Sequence, residues 1–512
     1  MEANSIDALA ADLRAARYTV DALNDLCGES AGRALARGFP LPARQALDGD
    51  DSPAAVLARL FVLGEPVRRD LVDRSLPRAG ADGAARLGLV SIAGRSTDDE
   101  VCAALDLRPY AASDGHGPVD WWIASDLGES VRSGPLGEDH VLGVGGAGLT
   151  LAGLTVRREV GNVLDLGTGC GIQALHASRH AGRVVAADVS RRALRLAGLN
   201  AGLNAAATAG RSNIDVVHSD LYSELGPERF DLIVSNPPFV ITPRGADVPA
   251  YDYRDGGLVG DELVERVVRG AAEHLQPGGI AQLLGNWEYS DGADGLDRVA
   301  AWIDGTGLDA WVIEREAQDP CEYAETWIRD GAVKPGTGEF DRLYAAWLAD
   351  FARRRVDAVG FGYILLRRPG PGTRPLRRFE RLGTPLPETA ALGTHIEQCL
   401  RAHDGLLDDV RTAILVRADD VTEERHYWPG SADPTAVLLR QGGGFARSTQ
   451  VDTATAGFVG ACDGELSVGA LIEALASILG VAASELSESI VPMVRKFVDD
   501  GILGIESGSE SR

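Results

Sequence analysis

The chain has 512 residues, 45% of them hydrophobic, and a formal net charge of −25, so it is too long for one ordinary domain and apolar enough for several cores. No uninterrupted apolar run reaches the ~18 residues of a membrane span, and the acidic start Glu2-Ala3-Asn4-Ser5-Ile6-Asp7 is no secretory leader, so a cytoplasmic protein without a membrane role is expected. Six cysteines (Cys27, Cys102, Cys170, Cys321, Cys399 and Cys462) with no C-x-x-C pair argue against a zinc site and a disulfide framework, and the acidic balance argues against a nonspecific nucleic-acid binder, which needs positive surface to displace counterions.

In chain order, residues 1–110 read as a mostly helical domain. Ala54 to Leu63 and Pro66 to Leu76 are expected helices, and Ala84 to Ile92 runs helix, glycine, apolar strand in the manner of a winged helix. Arg108-Pro109 through Gly117-Pro118 is expected to be a polar linker. Asp139 to Thr150 is too glycine-rich for an ordinary element. It either wraps a ligand, with Thr150 capping the helix that follows, or forms a flexible turn. His140 in this stretch is read as structural rather than as a base.

Asn162-Val163-Leu164-Asp165-Leu166-Gly167-Thr168-Gly169-Cys170-Gly171-Ile172 reads as a buried parallel strand entering a glycine turn and a helix. Its spacing is G-x-G-x-G, not the G-x-G-x-x-G of dinucleotide folds. Cys170 is read as a small residue in a tight turn. The next strand, Val184 to Ala187, ends in Asp188, placed to accept from ribose hydroxyls, and a third, Ile214 to His218, ends at Asp220-Leu221.

The apolar run Phe230 to Ser235 closes in Asn236-Pro237-Pro238-Phe239. Two prolines have fixed φ and no N–H, so the carbonyls around them can face outward as acceptors. A planar NH2 group donating to the Asn236 oxygen and the Pro237 carbonyl is thereby held with its lone pair aimed at an electrophile, and Phe239 can stack on the flat group. Tyr251-Asp252-Tyr253-Arg254-Asp255-Gly256-Gly257 then reads either as a substrate-side loop presenting Tyr253 or Arg254, or as a surface turn with Gly256 at positive φ.

Alternating helices and strands follow at Asp261 to Leu275, Ile280 to Leu284, Leu296 to Ile303, Ala310 to Ile313 and Gly362 to Leu366. They complete an α/β domain over residues 120–368 with a seven-stranded, parallel, doubly wound sheet. An insertion over about 317–359, expected above the mouth of the site, carries Tyr323, Trp327, Tyr344 and Trp347, which are read as core. Pro369 to about Ala390 reads as a linker. Residues 390–512 end in helical spacing over Leu471 to Leu479 and Ile490 to Leu503, a second winged-helix-like domain.

The glycine loop, Asp188 and Asn236-Pro237-Pro238-Phe239, in this order and each at a strand end, resemble class I S-adenosylmethionine-dependent methyltransferases of the N-P-P-[YF] type. That group includes release-factor glutamine methyltransferases and the small-domain enzymes that methylate exocyclic amines of RNA or DNA bases. The resemblance covers roughly residues 120–370. It implies a Rossmann-like core and S-adenosylmethionine as cofactor, with Asp165, Gly167, Thr168, Gly169 and Gly171 at its methionine end. Asp188 would bind its ribose and Asp220 with Leu221 its adenine, while Asn236 to Phe239 form the catalytic set. Phe239 departs from the tyrosine usual in the glutamine and adenine enzymes, phenylalanine being common in ribosomal guanine enzymes. The expected activity is N-methylation, with a protein glutamine favoured as acceptor by the charge balance. Two alternatives stay open. One is a base amine of structured RNA or of DNA, served by a local stripe of arginines such as Arg254, Arg353 and Arg374; the other is a non-catalytic cofactor-sensing protein.

Overall fold

A computed structural model describes residues 2–128, 131, 137, 139–207, 210–245, 248, 254–331, 333–386 and 392–505. They form two compact units, Met1–Ala152 with Arg158–Arg368 and Arg377–Glu380, and Gly153–Arg157 with Pro369–Leu376 and Arg381–Arg512.

The first unit is built on an eight-stranded sheet: β1 (Val160–Leu166), β2 (Ala181–Asp188), β3 (Ile214–His218), β4 (Phe230–Ser235), β5 (Leu275–Ser290), β6 (Asp309–Gln318), β7 (Val356–Arg367) and β8 (Arg377–Arg381). Their order across the sheet is β8-β6-β7-β5-β4-β1-β2-β3. β1 to β5 pair in parallel, and runs such as Val184-Val185-Ala186-Ala187 and Leu232-Ile233-Val234 are buried, as strands covered on both faces must be. The strand order reverses at β1, because the chain leaves β3 and returns as β4 on the other side. The carboxyl ends of β1 to β4 therefore share one edge, where a crevice opens.

Two expectations about the sheet are corrected. It is mixed, not all parallel: β7 runs antiparallel to both β5 and β6. Gln318 pairs with Val359, so the insertion leaves and returns at adjacent points of a hairpin, and such a connection needs no crossover. The sheet also has an eighth strand inside the stretch expected to be linker. β8 is an arginine-rich edge strand whose Arg378 guanidinium lies 4.8 Å from the Trp311 ring centroid, a contact that hydropathy does not register.

A further correction concerns the expected linker between the helical segment and the central domain. Asp106–Asp114 and Gly117–Ser125 form a β-hairpin with Leu107, Trp121, Trp122 and Ile123 buried. Pro109 lies opposite Trp122, whose N–H and C=O face away and bond the Asn204 side-chain amide on the helix Arg191–Ala207, so the missing proline N–H costs no ladder bond. Asn200, one helical turn earlier, treats Ala124 in the same way. Leu9, Leu13 and Phe61 of the helical segment pack in one core with Trp121, Trp122, Leu196 and Leu203. Thr150, expected as a helix cap, lies inside the helix Gly146–Leu154.

The insertion forms two helices, Pro320–Asp330 and Gly338–Arg354, N-capped by Asp319 and Thr337. Tyr323, Phe340, Trp347 and Phe351 fill its core with Val240 and Ile241, so its aromatic spacing is packing, as read from the sequence. In the second unit, the helices Leu392–Gly405, Val468–Leu479 and Ala483–Asp499 surround a core containing Phe458, Ile472, Ile490 and Phe497. A three-stranded sheet orders Asp463–Ser467, Ile414–Arg417 and Leu503–Ile505, and Val421–His426, Ala436–Gln441 and Ser448–Val451 form a meander. The outer strands of that sheet are separated in sequence by two helices. In the N-terminal sheet, by contrast, Val90–Ile92 and Glu100–Ala103 pair as a hairpin, so the sequence echo between the two ends stops at the helices. Among the described residues no helix is long and apolar enough to cross a membrane, and no His/Cys/Asp/Glu group could hold a metal ion.

Candidate active site

The glycine loop after β1 is held from below and from the side. Gly167, Gly169 and Gly171 have φ of +76°, +54° and +87°, all in the left-handed region. At Gly171 a Cβ would also lie 3.1 Å from the Ala197 backbone, so a side chain there would be both strained and crowded as the loop turns into the helix Ile172–Ala177. The amides of Gly167 and Thr168 both donate to the Ala187 carbonyl, at 2.9 and 3.0 Å, which hangs the loop on the end of β2.

Two carboxylates finish the frame. Asp165 is buried beneath the loop, where one oxygen accepts from Thr168 Oγ1 at 2.6 Å and the Ala174 amide at 2.9 Å, and its Oδ1 has no donor. Burial, with the charge of Asp188 adding to it, pushes its carboxyl up to about 7 despite those two bonds. Asp188 accepts from the Gly169 amide at 2.9 Å and, through its other oxygen, from the Ser190 amide at 2.8 Å. It is therefore a brace between strand end and loop as well as part of the cavity wall.

The cavity, 470 Å³ in volume, brings most of the expected set together. Its wall includes Gly167, Thr168, Gly169, Asp188, Asp220, Leu221, Asn236 and Pro238. Ser219 donates its amide to the Asp188 carbonyl at 3.0 Å and its hydroxyl to the Leu221 carbonyl at 2.7 Å, fixing Leu221 at φ +50°, a conformation that leucine adopts only when its neighbours impose it. Ser235 Oγ donates to the Leu166 carbonyl at 2.8 Å, so β4 ends level with β1. A Cβ on Gly167 would lie 3.9 Å from the Asn236 carbonyl oxygen. The Asn236 side-chain oxygen is buried without a donor.

Several expected residues stand outside the wall. Asp165 and Gly171 shape the loop from behind, and Pro237 is not one of the wall residues. Phe239 packs between Phe361, with ring centroids 5.6 Å apart, and Trp327 of the insertion at 6.3 Å. Its ring is thus committed to protein packing rather than to the cavity. No described residue of the insertion reaches the wall either, contrary to its expected place over the mouth. Arg254 turns away to the insertion, donating to the Trp327 carbonyl at 2.8 Å and to Asp330 at 3.0 Å. Tyr253 lies outside the described residues.

Three further parts of the site were missed in the sequence or left open there. The first is Asp255, next to Arg254, whose Gly256 and Gly257 neighbours also line the cavity. Phe239 and Asp255 form a β-bridge and the Val240 amide donates to the Arg254 carbonyl at 2.9 Å, so the two loops are one paired element. The second is the stretch His140 to Gly148, which does line the cavity. Its place is fixed by Gln173 donating to the Gly148 carbonyl at 2.7 Å and by Asp126, which accepts the Val141 amide at 2.8 Å and pairs with Arg192. His140 is buried beside Asp126, 3.8 Å from its carboxylate, in keeping with a structural role. The third is Asn200, whose amide donates to the carbonyls of Ala124 and Cys170. Cys170 itself is buried, which pushes its thiol up to about 11, away from the thiolate form.

A glycine turn, a carboxylate at the next strand end and an Asn-Pro-Pro corner surround one crevice at a strand-order reversal, the place where open α/β sheets bind their ligands. Residues 145–290 match the methyltransferase small domain, so the resemblance carried by the two motifs holds for the central domain. Residues 15–104 and 397–504 match two domains of unknown function, DUF7059 and DUF7782. The chain is 36% identical over 155 residues to the ribosomal protein uL3 glutamine methyltransferase of Bradyrhizobium diazoefficiens, covering 28% of this chain and 46% of that one. It is 36% identical over 171 residues to the release factor glutamine methyltransferase of Cereibacter sphaeroides, covering 30% and 59%. It is 34% identical over 128 residues to the ribosomal RNA small subunit methyltransferase C of Klebsiella pneumoniae, covering 25% and 31%. The chain thus spans about half the length, or less, of these relatives.

Proposed function

We propose that the chain is an S-adenosylmethionine-dependent N-methyltransferase acting on a planar amide or amine nitrogen, with a protein glutamine side chain as acceptor. The observation that carries this reading is one hollow walled by the glycine loop, Asp188 and Asp220 on one part and by Asn236 and Pro238 on another. The wall suits the cofactor. Its charged described residues are Asp188, Asp220 and Asp255, with no arginine or lysine, which fits a ligand bearing a sulfonium, an ammonium and ribose hydroxyls. In this reading Asp188 accepts from the ribose, Asp220 and Leu221 meet the adenine, and Asp165 keeps the loop in shape.

When bound, the cofactor supplies an electrophilic methyl group. Asn236 Oδ1, which has no internal donor, accepts one hydrogen of the target nitrogen and a backbone carbonyl of the Asn-Pro-Pro corner the other, turning its lone pair toward that methyl. The nitrogen, once methylated, would release its surplus proton to water.

The same wall chemistry favours an amide over a nucleic acid, whose phosphates gain their affinity from cations that the wall lacks. The glutamine methyltransferase names of two relatives agree. A base amine is the second reading, favoured by the similarity to the ribosomal RNA enzyme. All six cysteines are free thiols, which supports a reducing, cytoplasmic setting. Residues 67–103 support a winged-helix module through their order: strand, two helices, then a hairpin that pairs with the first strand. The deciding experiment is incubation with methyl-labelled S-adenosylmethionine and cell extract, followed by protease or RNase digestion. Label lost to protease and recovered as N-methylglutamine supports the reading. Label lost to RNase replaces it with the base amine, and absence of transfer to any fraction removes the catalytic reading.

A further inference from the structure

Asp255, like Asn236, is a described residue of the cavity wall that is buried with a side-chain oxygen lacking a donor. The Asp255 side chain is only 1% exposed. Its Oδ1 accepts from the Gly257 amide at 3.0 Å and pairs with Arg244 at 2.5 Å, while its Oδ2 has no donor. A buried carboxylate oxygen left unpaired is costly, and on a cavity wall a ligand N–H can supply the missing donor. Arg244 also donates to the Leu258 carbonyl at 2.6 Å, so one guanidinium clamps both ends of the Asp255 to Leu258 turn. The β-bridge between Phe239 and Asp255 fixes the turn to the Asn236 corner. The acceptors of Asn236 and Asp255 therefore lie on two segments joined by that bridge.

Resting on the reading of this cavity as a methyl-transfer site, we infer that Asp255 is a specificity residue for the acceptor. Its Oδ2 takes a second N–H from the polypeptide segment that presents the target amide, while Asn236 serves the target nitrogen itself. Because Arg244 already balances the carboxylate, the partner it fits is a neutral N–H, such as a backbone amide flanking the glutamine, rather than a cationic side chain. The oxygen can only accept, so a segment lacking that N–H is refused.

Asp255→Asn tests this with little change of volume. Its oxygen is held toward the Gly257 amide and Arg244, since the amide nitrogen there would face two donors. The nitrogen must then take the place of Oδ2, turning the free acceptor into a donor. The full-length chain and the variant are assayed with labelled S-adenosylmethionine on a library of neutral glutamine-containing peptides, and a peptide that takes label is titrated. S-adenosylhomocysteine affinity is measured by calorimetry on both proteins. The expected result is a half-saturating peptide concentration raised at least tenfold, a plateau rate within about threefold, and cofactor-product affinity within twofold. Asp255→Ala should shift the peptide titration in the same direction. Unchanged half-saturation overturns the assignment of Asp255 alone, and a parallel loss of S-adenosylhomocysteine affinity reassigns it to the cofactor. If the wild-type chain labels no peptide, the glutamine reading fails and this inference with it.

Discussion

Replacing Asp188 separates its two tasks. An ionised carboxylate offers about four lone-pair sites, and the Gly169 and Ser190 amides occupy one on each oxygen, at 2.9 and 2.8 Å. In the proposed reading the ribose hydroxyls add their own bonds to this carboxylate. A pair of charge-assisted bonds of that kind contributes on the order of 2–3 kcal/mol. At ~1.4 kcal/mol per decade, Asp188→Ala should weaken S-adenosylmethionine about 30–150-fold by calorimetry. The same change leaves the two amides to water at a half-buried position, costing the apo protein about 1–2 kcal/mol, read as a lowered unfolding temperature. Asp188→Asn should fall between, since its oxygen can serve one amide while its nitrogen opposes the other. If Asp188→Ala lowers the unfolding temperature while the cofactor affinity stays at the wild-type value, Asp188 is a brace only and the ribose argument is refuted.

Asn236→Ala should lower turnover by about 10²-fold on an acceptor while leaving S-adenosylmethionine affinity within twofold, because its free oxygen is assigned to the acceptor; turnover near wild type counts against the N-methylation geometry. Asp165 has a folded-state pKa of about 7, above its ordinary value of 3.8, so between those values the folded chain holds a proton that the unfolded chain has lost. Its contribution therefore favours folding below pH ~4, declines as the pH rises to about 7 and is level beyond. Denaturant titrations of Asp165→Asn should lose that part of the slope, and an identical profile would show the carboxyl titrating normally. Asn200→Ala should cost about 3 kcal/mol or more, since it strands the buried Ala124 amide and carbonyl and the Cys170 carbonyl; a loss below about 1 kcal/mol would mean that water replaces the amide.

What the sequence showed was whatever depends on neighbours along the chain. Buried parallel strands are unbroken apolar runs, and the glycine turn and the Asn-Pro-Pro corner each compress a backbone requirement into a few adjacent letters. β1 to β4 and the residues at their ends were legible for that reason. The hairpin Asp106–Asp114 with Gly117–Ser125 was not, because Pro109 and the polar turn look like punctuation, and only the distant Asn204 shows that the proline breaks no bond. β8 was hidden because arginine stems on an aromatic ring read as charge. Asp255 was passed over for Arg254 because the neighbours are equally polar. What sets them apart is that one donates to the insertion and the other is buried with a free oxygen, which is a fact of three-dimensional packing.

The amides of Asn200 and Asn204 have a consequence for the life of the chain before it is complete. The strand Gly117–Ser125 pairs with its hairpin partner on one side only, and its other edge could recruit any extended peptide, including another nascent copy. Two carboxamides on a helix imitate a neighbouring strand there, giving and receiving the bonds that Trp122 and Ala124 offer. That helix is translated about seventy residues after the strand it covers. For that interval the edge is bare, and a ribosome that stalls there exposes an aggregation-prone ribbon that the finished protein never shows.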